Sequence, residues 1–178
     1  MPMYIGLLQG INIGSKKRIR MEDLRSLIAA LEGEDVRTYV NSGNVVFSHR
    51  HTDVAALERE METALREQIG VDVPVIIRTG QDLARVIADN PFPDATDPKT
   101  LHVLFLRDKP AIEDVDAVEE METGADRIAI HAREVYAFLP NYTSGATVDL
   151  MKVARALGVD GTSRNWNTVT KLVEMANT

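Results

Sequence analysis

The chain of 178 residues contains no cysteine. Disulfides, a thiolate nucleophile and thiolate-ligated zinc or iron–sulfur centres are therefore excluded. Long apolar runs are missing too. Stretches such as Val103 to Leu106 fall far short of the roughly 20 residues that span a bilayer. Met1-Pro2-Met3-Tyr4 does not begin a basic stretch followed by an apolar one, so no secretory leader is expected. Cytoplasmic residence without membrane association is the corresponding expectation. Positive charge is the minority sign, with 20 Lys and Arg against 27 Asp and Glu and a net charge of -7. That balance argues against indiscriminate nucleic-acid binding, which needs a broad positive surface. What remains, 44% hydrophobic and 26% charged residues, is the composition of globular structure.

The order of elements follows from periodicity. Met3 to Leu8 reads as a strand. Met21, Leu24, Leu27, Ile28 and Leu31 recur at helical spacing, and Gly33 stops that helix. Val36 to Val40 alternates as a second strand, Asn41 to Asn44 makes a tight turn, and Val45 to Phe47 returns. Asp53 can cap a helix bearing Val54, Leu57, Met61, Leu65 and Ile69 on one side and ended by Gly70. Pro74 to Arg78 then reads as an edge strand, since proline lacks a donor.

This β-α-β-β-α-β order within residues 1–80 is the ferredoxin-like split arrangement. Right-handed crossover makes its first two strands parallel. The loop leaving the first and the turn leaving the second are then expected at one end of the sheet, neighbours in space though remote in sequence. Residues 81–178 read as a second α+β unit. After a short helix and the Pro/Asp-rich stretch Asn90 to Pro98 come a strand at 101–106, a helix at 110–121 and a hairpin over 125–131 and 134–139. Two C-terminal helices follow, 146–157 and about 165–175, the second standing where a fourth strand would be. The predicted fold class is α+β, two ferredoxin-like βαββαβ-type halves with antiparallel sheets.

The segment richest in chemistry is Gly10-Ile11-Asn12-Ile13-Gly14-Ser15-Lys16-Lys17-Arg18, between the first strand and the first helix. Backbone N–H groups of a glycine-bearing loop at a helix N-terminus can point at an anion, and Lys16, Lys17 and Arg18 add charge. Its spacing matches neither the P-loop nor the dinucleotide fingerprint, and the plainer reading is a long connection with solvated lysines. Asn41, Ser42, Gly43 and Asn44 would lend amide and hydroxyl groups to the same place, or serve only as a good hairpin turn. Arg164-Asn165-Trp166 opens the last helix. An arginine in a first helical turn opposes the dipole, so a carboxylate or an anionic ligand is expected to hold Arg164. Trp166 falls on an apolar stripe with Val169, Leu172 and Val173, which favours packing over stacking on a ligand.

Other chemistries find little support. His49 and His51 lack a third ligand and no metal is expected; His102 and His131 read as residues of the sheets. No G-x-S-x-G elbow accompanies Ser15, Ser42 or Ser144. Glu58, Glu60, Glu62 and Glu67 read as a solvated helix face, and no carboxylate pair stands out as an acid/base couple. No catalytic residue, reaction or cofactor is assigned.

The runs Tyr4 to Gly14, Thr38 to Phe47 and Thr162 to Val169, with Asn90-Pro91-Phe92 and Pro98 to Val103, together resemble the bacterial family catalogued as domain of unknown function 1697. The resemblance spans nearly the whole chain and implies a build from two ferredoxin-like units. It implies no activity. Members similar to this chain often carry a Ser-Lys-Leu-like stretch at the start of the penultimate helix, where Ala146-Thr147-Val148 stand here; a ligand lysine from that stretch is then either lost or substituted by Lys152.

The expectation is a protein that binds an anionic, phosphate-bearing small molecule at the loop end of the N-terminal sheet. The contacts would come from Gly10, Asn12, Gly14, Ser15, Lys16, Lys17 and Arg18, from Asn41 to Asn44, and from Arg164, Asn165 and Trp166. One rival is a nucleic-acid-binding module using Tyr4 and Tyr39, although Val45-Val46-Phe47 lacks the RNP1 pattern. Another is a non-catalytic structural or interaction protein.

Overall fold

The computed structural model describes all 178 residues. They divide into two compact units, Met1–Ala84 with Leu172–Thr178, and Arg85–Lys171. In the first, β1 (Met3–Leu8) leads to α1 (Met21–Ala30), β2 (Glu34–Tyr39), β3 (Asn44–Ser48), α2 (Val54–Ala64) and β4 (Val75–Thr79), after which α3 (Gly80–Ala88) begins in this unit and ends in the second. The sheet order is β2-β3-β1-β4, antiparallel at every neighbour. β1 and β2 both oppose β3, so they run parallel, and their outgoing connections leave at the same end.

One core lies between this sheet and its two helices. Leu24, Leu27 and Ile28 of α1 and Leu57 and Met61 of α2 meet Tyr4, Leu8, Val45, Phe47, Val75 and Ile77 from the strands. Asp53 caps α2, its Oδ1 accepting from Ala56 N at 3.0 Å. The helix does not continue regularly to Gly70. Leu65–Ile69 widen into a π-helical segment, which Gly70 ends at φ 79°. Arg37 of β2 brings the C-terminal residues into this unit, donating to Met175 O and Thr178 Oγ1, each at 2.7 Å.

β4 is an edge strand, as its proline predicted, and its outward amides have partners. Val75 N donates to Glu62 Oε1 and Ile77 N to Glu58 Oε1, both at 2.8 Å, and Thr79 N donates to Asp82 Oδ2 at 3.0 Å. Glu58 is buried. The reading of Glu58 and Glu62 as a solvated surface is therefore corrected. Four residues apart, they share one helix face, and that face looks along the strand.

The second unit comprises β5 (Leu101–Leu106), α4 (Ile112–Glu119), β6 (Arg127–His131), β7 (Glu134–Phe138), the single turn α5 (Tyr142–Gly145), α6 (Leu150–Ala156) and β8 (Gly161–Asn165), and α7 (Trp166–Ala176) begins in it and ends in the first. Its sheet order, β6-β7-β5-β8, reproduces that of the first. The chain is thus α+β with two ferredoxin-like halves, each carrying a four-stranded antiparallel sheet. Two expectations are overturned here. A fourth strand does exist: β8 pairs antiparallel with β5 from His102↔Asn165 to Leu106↔Gly161. And α6 starts at Leu150 rather than 146. Asp126 Oδ2 accepts from Thr147 N and Val148 N at 2.7 and 2.8 Å, occupying amides that a longer helix would place in its first turn, while Asp149 caps α6 through Met151 N and Lys152 N. No helix is long and apolar enough to cross a membrane.

Candidate functional site

The loop after β1 is built from left-handed residues. Gly10, Asn12, Gly14 and Lys17 all have φ between 51° and 66°, a conformation that glycine and asparagine tolerate best. Asn12 N donates to Lys17 O at 3.0 Å, which closes 12–17 into a compact tip. The Arg18 guanidinium folds back on Gly14 O at 3.0 Å. Ile13, Gly14, Ser15, Lys16, Lys17 and Arg18 are all exposed.

The expected meeting of distant segments is present. The Asn12 side chain donates from Nδ2 to Asn41 O at 2.8 Å and to Ile19 O at 2.9 Å, and its Oδ1 accepts from Ile19 N at 2.8 Å. Leu8 N donates to Gly43 O at 2.9 Å. Gly43 is buried at φ 81°, and a Cβ there would lie 2.8 Å from Leu8 Cβ and 3.0 Å from Ile11 Cδ1. Asn44, fully buried, donates to Tyr39 O and Ser42 Oγ at 3.1 and 2.9 Å. Residues 10–18 and 41–44 therefore form one rim, but its members differ in what they offer. The Asn12 and Asn44 amides are spent on the fold, whereas Asn41, Ser42 and the basic side chains face outward.

Beside the rim is a cleft of about 580 Å³ lined by Asn12, Arg18, Ile19, Arg20, Met21, Asp23 and Asn41. It opens onto the start of α1, whose N-cap residue, Arg20, makes no side-chain capping bond. The first intrahelical bond is Leu24 N to Arg20 O, so the amides of Met21, Glu22 and Asp23 precede the hydrogen-bonded ladder. Arg20 forms a bidentate pair with Asp23, Nε to Oδ2 and Nη2 to Oδ1, each 2.8 Å, and the guanidinium holds the Asp23 carboxyl below its usual range. Arg20 and Asp23 were not anticipated as lining residues. Their signal was in the sequence, because Arg20 continues the basic run and Asp23 stands three residues on, within salt-bridge reach along a helix.

Arg164, Asn165 and Trp166 belong to the second unit. Arg164 lies in β8, not in a helical turn, which corrects the argument from the helix dipole. It is 8% exposed and donates from Nη1 to Thr162 Oγ1 and Ser163 O at 2.7 and 2.8 Å. Burial lowers its pKa to about 10, so it stays charged at neutral pH. Asn165 caps α7, its Oδ1 accepting from Thr168 N at 2.9 Å. Trp166 is half-buried. Of the rival reading's aromatics, Tyr4 is in the core, its hydroxyl donating to His51 O at 2.8 Å, and Tyr39 is half-buried. His49 is buried with both ring nitrogens engaged. Nδ1 accepts from His51 N at 2.9 Å, which leaves the proton on Nε2 for Leu31 O at 2.8 Å.

A family model described as "Protein of unknown function (DUF1697)" matches residues 1–136. No curated protein matches the chain. Among solved structures, the chain is similar to the conserved bacterial protein SP0830 from Streptococcus pneumoniae, at 24% identity and a TM-score of 0.79 over 98% of each chain. At that identity the likeness is one of fold.

Proposed function

This chain belongs to the family of proteins of unknown function catalogued as DUF1697, and we propose that the rim of its N-terminal sheet binds an anionic, phosphate-bearing small molecule. One observation carries the reading: the uncapped start of α1 opens into a cleft flanked by Arg18, Arg20 and Asn41. Backbone amides ahead of a helix, backed by its dipole, favour an anion there. The Arg18 guanidinium can make charge-assisted hydrogen bonds to a phosphate, while Arg20, its Nε and Nη2 held by Asp23, adds charge beside it. Lys16 and Lys17, exposed on the adjoining tip, add attraction at longer range. The first unit suffices for this. Arg164 is engaged with Thr162 and Ser163, and the Asn165 carboxamide caps α7, so neither is required.

The role of the rim is binding; no bond-making step is assigned to it. The test is a thermal-shift screen of phosphorylated metabolites against the wild type and a Lys16→Ala/Arg18→Ala variant. Ligands that raise the wild-type melting temperature should lose most of that shift in the variant. Loss of one charge-assisted contact, at Arg18, and of the longer-range attraction from Lys16 corresponds to about 2 kcal/mol, or roughly thirtyfold in affinity. Equal shifts in both proteins would remove the case for this rim.

A further inference from the structure

The cleft at the start of α1 is not isolated. A second one, about 440 Å³, is lined by Asp23, Ser26, Leu27, Gln68 and Ile69. Asp23 lines both. Asp23 is thus common to two linings that otherwise draw on Arg18 and Arg20 in one case and on α1 and the π-helical turn Leu65–Ile69 in the other. Their chemistry differs. The first is cationic. The second holds a hydroxyl on Ser26, an amide on Gln68 and the shared carboxylate, over an apolar floor of Leu27 and Ile69, and no cation lines it. Ser26 and Gln68 are both exposed.

Such a set suits hydroxyl groups. A carboxylate accepts from them, a serine hydroxyl both donates and accepts, and an amide does each from a separate atom. Each Asp23 oxygen takes one hydrogen bond from Arg20 and keeps a further lone pair. The Arg20 pair also keeps Asp23 ionised, so that it acts as an acceptor only. The π-helical turn contributes position. A regular α-helix through 65–69 would rotate Gln68 and Ile69 relative to α1, and such insertions recur at functional sites.

We propose that the anion-binding cleft continues past Asp23 into a hydroxyl-binding subsite formed by Ser26 and Gln68, which makes the ligand a phosphate ester of a sugar. This rests on the proposed anion site and adds to it what the rest of the ligand must be. The phosphate occupies the start of α1, and the sugar hydroxyls reach across Asp23 to Ser26 and Gln68. A free sugar phosphate and the ribose phosphate of a nucleotide share this chemistry.

Isothermal titration calorimetry on the full chain tests it with inorganic phosphate, ribose 5-phosphate and adenosine 5′-monophosphate. Both sugar-bearing probes should bind the wild type at least about tenfold more tightly than phosphate. A Ser26→Ala/Gln68→Ala variant should lose about that factor for the sugar-bearing probes and keep its phosphate affinity. The substitutions are on the surface, and an unchanged melting temperature checks that the variant is folded. Equal affinity for the two sugar-bearing probes upholds the subsite and identifies the sugar as the recognised part. Tighter binding of the nucleotide, with the same loss in the variant, upholds it with a base contact in addition. Sugar-bearing probes that bind no better than phosphate, or that ignore the double substitution, overturn the subsite and leave the anion site standing. If instead Lys16→Ala/Arg18→Ala spares ribose 5-phosphate binding while Ser26→Ala/Gln68→Ala reduces it, the anion site fails and the subsite survives. No binding of any probe to the wild type overturns both.

Discussion

At the scale of single residues, the rim depends on a few positions with no slack. Gly43 combines φ 81° with a Cβ direction blocked by Leu8 and Ile11. Gly43→Ala should cost about 2–4 kcal/mol, from left-handed strain and from overpacking against a Cβ atom that cannot swing away. Urea unfolding measures it. His102 provides a pH-dependent counterpart in the second unit. It is buried, with Nε2 3.1 Å from Lys99 O and its ring 4.3 Å from that of Tyr142. Burial lowers its pKa, only partly opposed by the Lys99 carbonyl. The folded state therefore takes up this proton less readily than the unfolded chain, whose histidine titrates at about 6.5. Its contribution is intact above that value and is lost as pH falls from there toward the lowered folded pKa. In urea melts between neutral and mildly acidic pH, His102→Gln should show a shallower decline in stability than the wild type. Identical slopes would mean the imidazole does not titrate across folding.

At the scale of elements, carboxylates do structural work. Glu58 accepts from the Ile77 amide in a buried setting, and Glu58→Ala should cost about 2 kcal/mol or more by stranding that donor. Glu58→Gln keeps an acceptor oxygen and should recover part of the loss. A full loss in both variants would show that charge, not acceptance, is what the strand needs. The same elements show what the sequence alone could reveal. α1 was legible because Leu24, Leu27 and Ile28 recur at helical spacing, and β4 because Pro74 and the run Val75-Ile76-Ile77 mark an edge strand. β8 was not, because Gly-Thr-Ser-Arg-Asn has no apolar alternation. Its place is set by pairing with β5 and by Gly161, where a Cβ would lie 3.0 Å from Leu104 Cδ1 and 3.1 Å from Leu106 Cδ2. The late start of α6 was hidden for a similar reason. Asp126 holds Thr147 and Val148 from across the unit, and no local pattern announces a contact of that range. At the rim, topology predicted the encounter of 10–18 with 41–44. It could not tell the spent amides, Asn12 and Asn44, from the outward groups, because that depends on side-chain direction.

At the scale of the whole molecule, the charge balance and the rim pull in opposite directions. A net charge of -7 repels polyanions in general, while Lys16, Lys17, Arg18 and Arg20 concentrate positive charge along a few residues. A small anion can lie within that local field; a long one meets the remaining negative surface. Affinity for a phosphorylated small molecule should fall several-fold, no more, between roughly 50 mM and roughly 500 mM salt, as expected for a partly exposed site with few contacts. Single-stranded RNA should bind no tighter than about 100 µM at the lower of these concentrations. Submicromolar RNA affinity with a steep salt slope would favour the nucleic-acid reading instead.

The capped margin of β4 has a consequence for self-assembly. An open sheet edge invites another copy to extend it, and proteins commonly discourage this with charge, proline or a covering element. Here Pro74 stands just ahead of the strand, and Glu58, Glu62 and Asp82 occupy the bonding positions that an incoming strand would need. Cross-β growth on that flank is denied both hydrogen bonds and a neutral approach. In this unit, any aggregation nucleated by a sheet edge therefore has to begin at β2.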